Sequence, residues 1–463
     1  MKKIKIHFIV EILILVAYFT SRLVNLTKLP VFADEAIYIR WSQIIQSVET
    51  LRFIPQTDGK QPLFMWLCIP FLKLFSNPLF ASRFVSVLAG FGIIFALYLI
   101  LTLIKNRKTA LIACLIYVLL PYTFFFDRMA LADNLLSMFG LWSFYFTLLL
   151  AKKPKLDLAM ILGIILGLAW LTKSPAIYFI VLSFLTILYL NPKKSYFFFI
   201  SFFISFCIYN ILRLGPQFHM IALRNQDYIH PLKEILKHPL DPLIPHLRDV
   251  FNIFKFYLGL SVFLIFLPSK KTKYWFILLA WFILPLIANC AMAKVFTARY
   301  ILFTIPYLII LFSLGVNKYF WFLLFIPNLF LISKLSFQPY KVNLPSIDKG
   351  YIQDWTSGWG IKDSADYLIE QAKTKNVIVG TEGFFGTLPD GLQIYTNHIN
   401  QLTVFGVGNG LSQIPEKLLD AKAHGDDVYL LLNDNRHSLT GNFEIIKNIQ
   451  KPDGSKLILY RIL

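Results

Sequence analysis

Long apolar runs separated by short basic turns fill the first 338 residues, and the pattern changes after them. The first run, about Ile6 to Leu23, follows "MKKIKIH" and lacks a small-residue cleavage site. It also carries Glu11 and Arg22, so it reads as a retained span rather than a signal peptide. Further runs start near Phe80, Thr109 and Tyr196, and others end at "KKPK", "LTKSP", "NPKK", "PSKKTK", "AKVFTARY", "VNK" and Lys334. Runs of about 18 apolar residues suffice to cross a bilayer, and about eleven are expected here. Two polar stretches interrupt them, residues 24–79 and 213–248. Within the first, Ile37, Trp41, Ile44, Ile45 and Val48 recur at helical spacing and predict an amphipathic helix. "QPLFMWLCIPFLKLF" is too short to span, and a break is expected at Pro70.

Residues 339–463 follow another pattern. "SADYLIEQAKTK" predicts an amphipathic helix. "NVIVGTE", "LQIYTN", "LTVFGV" and "VYLLLND" read as short buried strands. "FEIIKNIQ" and "KLILYRIL" flank a "KPDG" turn and predict a hairpin. The expected fold class is a polytopic α-helical membrane protein with a small C-terminal extracytoplasmic α/β domain. "TEGFFGTLPDGLQIY" reads as an ordinary strand–turn–strand connection, with a binding surface as the alternative.

Composition agrees: 57% of the 463 residues are hydrophobic and the mean hydropathy is +0.61. The net charge of +19 is unevenly spread. Past residue 340 there are 12 basic and 14 acidic residues, against 33 and 12 before it. The excess therefore lies in the membrane part, where inner loops are expected to be basic, and nucleic acid is excluded as a partner. With a cytoplasmic N-terminus, "KNRK", "KKPK", "NPKK", "PSKKTK" and "VNK" all fall inside. Asp157 is then the only inner acid, and ten others, from Asp34 to Asp249, fall outside with the tail. A multi-pass protein of the cell membrane is expected. Cys68, Cys114, Cys207 and Cys290 are scattered singly, so neither zinc site nor disulfide framework is indicated.

This sidedness collects polar motifs on the outer face. Asp34 and Glu35 open the first outer loop, followed by Asp58 and Lys60 and then by Arg83. "DRMALADN" brings Arg128 and Asp133, "LTKSP" brings Lys173, and "ARYILFTIP" brings Arg299 and Tyr300. The plain reading of the acid pair is capping of the next helix, and that of Arg22, Lys28 or Lys73 is snorkelling to headgroups. As a set, the groups suit one reaction. A carboxylate takes the proton of an acceptor hydroxyl as its oxygen attacks a sugar carbon, while Lys and Arg stabilise the departing phosphate. No nucleotide-binding glycine loop is present, which disfavours a nucleotide-sugar donor.

Over residues 5 to 335 the chain resembles the GT-C glycosyltransferases, in the branch of protein O-mannosyltransferases and lipid A aminoarabinose transferases. The acid pair, "GKQPL", "RMALADN", "LTKSP" and "ARYILFTIP" resemble that family's ordered motifs. The resemblance implies Asp34 as catalytic base with Glu35 beside it, and Asp133 as a second catalytic acid. It implies a polyprenyl-phosphate-linked sugar held by Lys60, Lys173 and Arg299, with Arg83, Arg128 and Tyr300 alongside. The acceptor is a protein, lipid or glycan, and membrane lipids surround the chain. No cofactor is expected and no metal ligand is assigned. Some relatives carry an acid before the Lys of the second motif and bind a metal nearby; here that position is Gly59, which leaves a divalent metal open. A lipid or sugar transporter, with charged sites near the bilayer midplane, and a non-catalytic membrane subunit are the competing readings.

Overall fold

The computed structural model describes residues 2–266, 273–315 and 319–463. Most of "PSKKTK" and all of "VNK" lie outside the described residues. In chain order the helices begin with α1 (Lys2–Leu23), α2 (Ala33–Ser47), α3 (Leu63–Leu74), α4 (Pro78–Ile104), α5 (Arg107–Leu119) and α6 (Pro121–Asp127). Next come α7 (Ala132–Lys152), α8 (Leu156–Thr172), α9 (Ile177–Leu190), α10 (Phe197–Tyr209), α11 (His219–Tyr228), α12 (Leu232–Lys237) and α13 (Leu243–Tyr257). α14 (Lys273–Met292), α15 (Ile305–Gly315) and α16 (Ile326–Phe337) follow, and the tail adds α17 (Ile361–Gln371), α18 (Asp390–Thr396) and α19 (Glu416–Ala423).

The chain forms two compact units. One comprises Met1–Val24, Thr50–Leu67 and Arg83–Ser333; the other comprises Asn25–Glu49, Cys68–Ser82 and Lys334–Leu463. The chain returns to the second unit at Lys334, and that unit also takes in parts of the polar stretch 24–79.

In the first unit, among the described residues, five helical stretches are long and apolar enough to cross a membrane: Pro78–Ile104, Ala132–Lys152, Phe197–Leu214, Lys273–Met292 and Ala298–Gly315. α5 and α6 make a sixth if taken as one span, bent by 67°. The bend falls at Pro121, which has no N–H to continue the helical ladder. Other apolar runs form shorter helices, such as the 17-residue α8, because turn residues cut them. Pro70 does not break its segment: it lies inside α3.

Arg22 does not snorkel. It is fully buried, and its Nε lies 3.1 Å from Asp127 Oδ2. Its Nη1 and Nη2 donate to the Val118 and Tyr117 carbonyls at the end of α5, at 2.8 and 3.2 Å. Those carbonyls have no partner within their own helix, so one guanidinium ties α1, α5 and α6 together. Tyr117 completes the network by donating to Asp127 Oδ1 at 2.8 Å. Glu11 is likewise matched, by two 2.7 Å bonds from Arg107.

In the second unit the tail forms a five-stranded sheet of β1 (Val377–Glu382), β2 (Leu402–Gly408), β3 (Asp427–Asn433), β4 (Phe443–Gln450) and β5 (Lys456–Ile462), in the order β2-β1-β3-β5-β4. β2, β1 and β3 run parallel, and the β4–β5 hairpin joins antiparallel. Leu418 of α19 packs against Val428, Leu430 and Leu432 of β3. "LQIYTN" is not a strand but lies on α18. The helix buries Leu392, Ile394 and Tyr395, so its apolar positions satisfy either period. The connection from β1 to β2 therefore contains a helix.

Asp390, in the first turn of α18, has its pKa raised from 3.8 to about 6 by burial, against the opposing Gly386 N–H and Arg40. A raised folded value means its stabilisation is present below the ordinary value and is lost as pH rises through about 6. Asp390→Asn should escape that loss. From pH 5 to 7.5 the thermal midpoint of the variant, followed by tryptophan fluorescence, should gain on wild type by the equivalent of about 1.4 kcal/mol. Parallel curves would contradict this.

Candidate active site

Asp34 and Glu35 occupy the first turn of α2, where acids complement the helix dipole. Their environments differ. Glu35 is fully buried and its Oε2 accepts the Phe32 N–H at 3.0 Å, closing the helix start as a capping residue. Asp34 is half-buried. The plain capping reading thus describes Glu35, and Asp34 is the acid whose position suits proton transfer.

The other candidates lie in the first unit. Asp133, in the first turn of α7, is buried, and its Oδ1 receives Lys173 Nζ at 2.6 Å. Its buried Oδ2 has no hydrogen-bond partner among the described residues. Lys173 ends α8, where the following Ser174-Pro175 turns the chain into a short 3-10 segment. Burial lowers the Lys173 pKa, Asp133 opposes that, and the charges of Arg299 and Lys60 lower it further. Lys60, Lys173 and Arg299 therefore share one electrostatic environment.

Tyr300 lies under this group: Lys173 Nζ is 4.7 Å and Arg299 Cζ 5.2 Å from its ring centroid. Lys60 Nζ donates to Tyr228 Oη at 3.2 Å and sits 3.9 Å from Asp58 Oδ2. Gln61 Nε2 donates to Ser174 Oγ at 2.8 Å, tying the Lys60 turn to the Lys173 turn.

Gly59 also has a structural reason. Its φ is +66°, and a Cβ there would meet Arg224 Cβ at 2.6 Å and the Met220 carbonyl at 2.9 Å. The acid is displaced by one position: Asp58 receives Arg224 Nη2 at 2.5 Å and Nε at 3.0 Å. Arg224 and Tyr228, both on α11, were not singled out from the sequence. Their only signal was "LRNQDY", a charged helical turn in the polar stretch 213–248.

Arg83 and Arg128 are near one another. Both are buried, and Arg83 is close enough for its charge to bear on Arg128. Arg128 Nη1 donates to the carbonyls of Ser21, Arg22 and Val24 at 3.0, 3.2 and 2.7 Å, capping the C-terminus of α1. Among the described residues no group of three or more His, Cys, Asp and Glu side chains comes together as a metal site.

Comparison with known proteins agrees with the fold. The family model of dolichyl-phosphate-mannose-protein mannosyltransferases matches residues 59–211. ArnT from Cupriavidus metallidurans in the apo state matches with a TM-score of 0.62 at 13% identity, covering 99% of this chain and 98% of that one. The same protein bound to undecaprenyl phosphate gives 0.59 at 13% identity, covering 98% and 97%. An oligosaccharyltransferase from Archaeoglobus fulgidus in the apo form gives 0.51 at 11% identity, covering 92% of this chain and 69% of that one. No curated protein matches by sequence. The fold is the ArnT-like GT-C fold.

The Lys173–Asp133 pair should be strongly coupled. Lys173→Met leaves a buried carboxylate without its cation and should lower the stability of the detergent-solubilised protein by about 2–4 kcal/mol. Adding Asp133→Asn should restore most of that. Simple additivity in a thermal double-mutant cycle would show that the pair is not coupled.

Proposed function

We propose that the protein is an inverting, membrane-embedded glycosyltransferase that moves a sugar from a polyprenyl-phosphate donor to an acceptor hydroxyl or phosphate outside the cytoplasm. The observation that carries this reading is the pairing of Lys173 with Asp133, the placement of Lys173 and Arg299 against the Tyr300 ring, and Lys60 close enough for its charge to bear on Lys173. Like charges are held together at a cost, and a bound phosphate offsets it through charge-assisted hydrogen bonds. The family match and the shared fold with ArnT, solved with undecaprenyl phosphate, support the same donor class.

Asp34 acts as the base. It takes the proton of the acceptor hydroxyl while that oxygen bonds to the anomeric carbon. The carbon–oxygen bond to the phosphate breaks on the opposite side, its electron pair leaves with the lipid phosphate, and the configuration inverts. Lys60, Lys173 and Arg299 stabilise the charge on the leaving phosphate. Asp133 holds Lys173 in place and is the second acid of the site. Glu35 supports Asp34 by fixing the helix start, and Arg128 caps α1, with Arg83 and Arg128 also taken as donor-phosphate ligands. A leaving phosphate neutralised by three side-chain cations needs no divalent ion, and chelators should have little effect. The transporter reading is disfavoured because Glu11, the acid placed inside a span, is matched by Arg107.

Asp34→Asn should lower turnover by about two to four decades with donor binding nearly unchanged. Lys60→Ala and Arg299→Ala should lose donor affinity as well as rate. Glu35→Gln should cost mainly stability, about 1 kcal/mol. An Asp34→Asn enzyme as fast as wild type, or product of retained configuration, rules this mechanism out.

The orientation follows from the charge pattern. Cysteines placed at Lys105 and Lys152 should react with impermeant reagents only from the cytoplasmic side, and cysteines in the tail only from outside. A tail protected from outside reagents would reverse the topology.

A further inference from the structure

We infer that the C-terminal tail positions the catalytic acid: it holds α2 by its back and its N-terminal approach, through Gly358, Arg40 and Gln43. The inference rests on the reading of Asp34 as the base, and it concerns contacts within one compact unit.

Two sets of contacts carry it. The first is a rung of backbone bonding immediately before Asp34. Gly358 N–H donates to the Val31 carbonyl at 2.8 Å, and Ala33 N–H donates to the Thr356 carbonyl at 3.1 Å, with Phe32 and Ser357 paired antiparallel between them. The ring of Phe32 lies 4.4 Å from that of Tyr351. The tail segment in this rung is itself pinned. Buried Lys451, which follows β4, donates to the carbonyls of Asp354 and Ser357 at 3.0 and 2.9 Å. The approach of the two chains requires glycine, since a Cβ on Gly358 would sit 2.5 Å from Val31 Cγ1 and 2.7 Å from the Val31 carbonyl.

The second set lies along the helix. Arg40 Nη1 donates to Asn397 Oδ1, and Gln43 Nε2 donates to the Ile394 carbonyl at 2.8 Å. Ile394 is in the last turn of α18, where carbonyls have no partner within the helix. At about 100° per residue, Gln43 projects roughly 180° away from Asp34, and Ala36 and Arg40 fall on the same rear side. The tail therefore grips the face of α2 opposite the acid. The acid's backbone is fixed at its entry by the rung and along its back by α18. A displacement of about 1 Å at a reacting group can cost a hundredfold in rate, so this grip is a catalytic requirement although none of its members touches substrate.

The test uses the full-length protein with Gly358→Ala, Gln43→Met and Arg40→Met variants, Gln43→Met being the mildest. Transfer kcat should fall ten- to a hundredfold, while undecaprenyl-phosphate binding stays within twofold of wild type. Amide hydrogen exchange across residues 33–47 should quicken. The rate losses should also not multiply with that of Asp34→Asn, because a displaced base has little left to lose. Unchanged kcat and unchanged exchange in all three variants would overturn the inference, as would losses fully multiplicative with Asp34→Asn. If Asp34→Asn alone is fully active, the base reading has failed instead, and hydrogen exchange then decides whether the tail holds α2.

Discussion

Three cations share one neighbourhood because a carboxylate stands among them. Asp133 bonds Lys173 at 2.6 Å, and Asp58 plays the same part for Lys60 and Arg224. The charge left over is positive, and under the proposed function a donor phosphate would offset it. Deeper in the first unit the rule is stricter. Arg22 and Asp127 are both fully buried, and each is matched by the other and by neighbouring carbonyls or a tyrosine. These balanced charges connect the helix turns that carry the candidate site.

Much of this was legible in the sequence. The period of Ile37, Trp41 and Ile45 placed α2, and short apolar runs between turn residues placed all five of the tail's strands and its first helix. The sidedness of charged motifs selected Lys60, Lys173 and Arg299, which the structure brings into one electrostatic environment. What was not legible depended on partners distant in sequence. Arg22 resembles a headgroup anchor until Asp127, 105 residues on, is seen beside it. Arg224 is one charge in a polar loop until Gly59 allows it to reach Asp58. "LQIYTN" failed for a local reason, because a six-residue segment can satisfy both helical and strand periods.

The acid pair shows the same limit at finer scale. Adjacent in sequence and alike in chemistry, Asp34 and Glu35 could not be ranked by residue type. The fold separates them: one side chain is fully buried and closes the helix start, while its neighbour is only half-buried.

The place of Lys451 in the chain has a consequence for biosynthesis. The backbone rung beside Asp34 uses residues near position 30 on one side and Thr356 to Gly358 on the other, and Lys451, just after β4, pins the latter segment through the Asp354 and Ser357 carbonyls. A growing chain makes α2 long before the β4–β5 hairpin that carries the pin. Until then the rung and the α18 contacts hold α2 without the bonds from Lys451. A chain that lacks the β4–β5 hairpin would form this rung without the lysine that pins it.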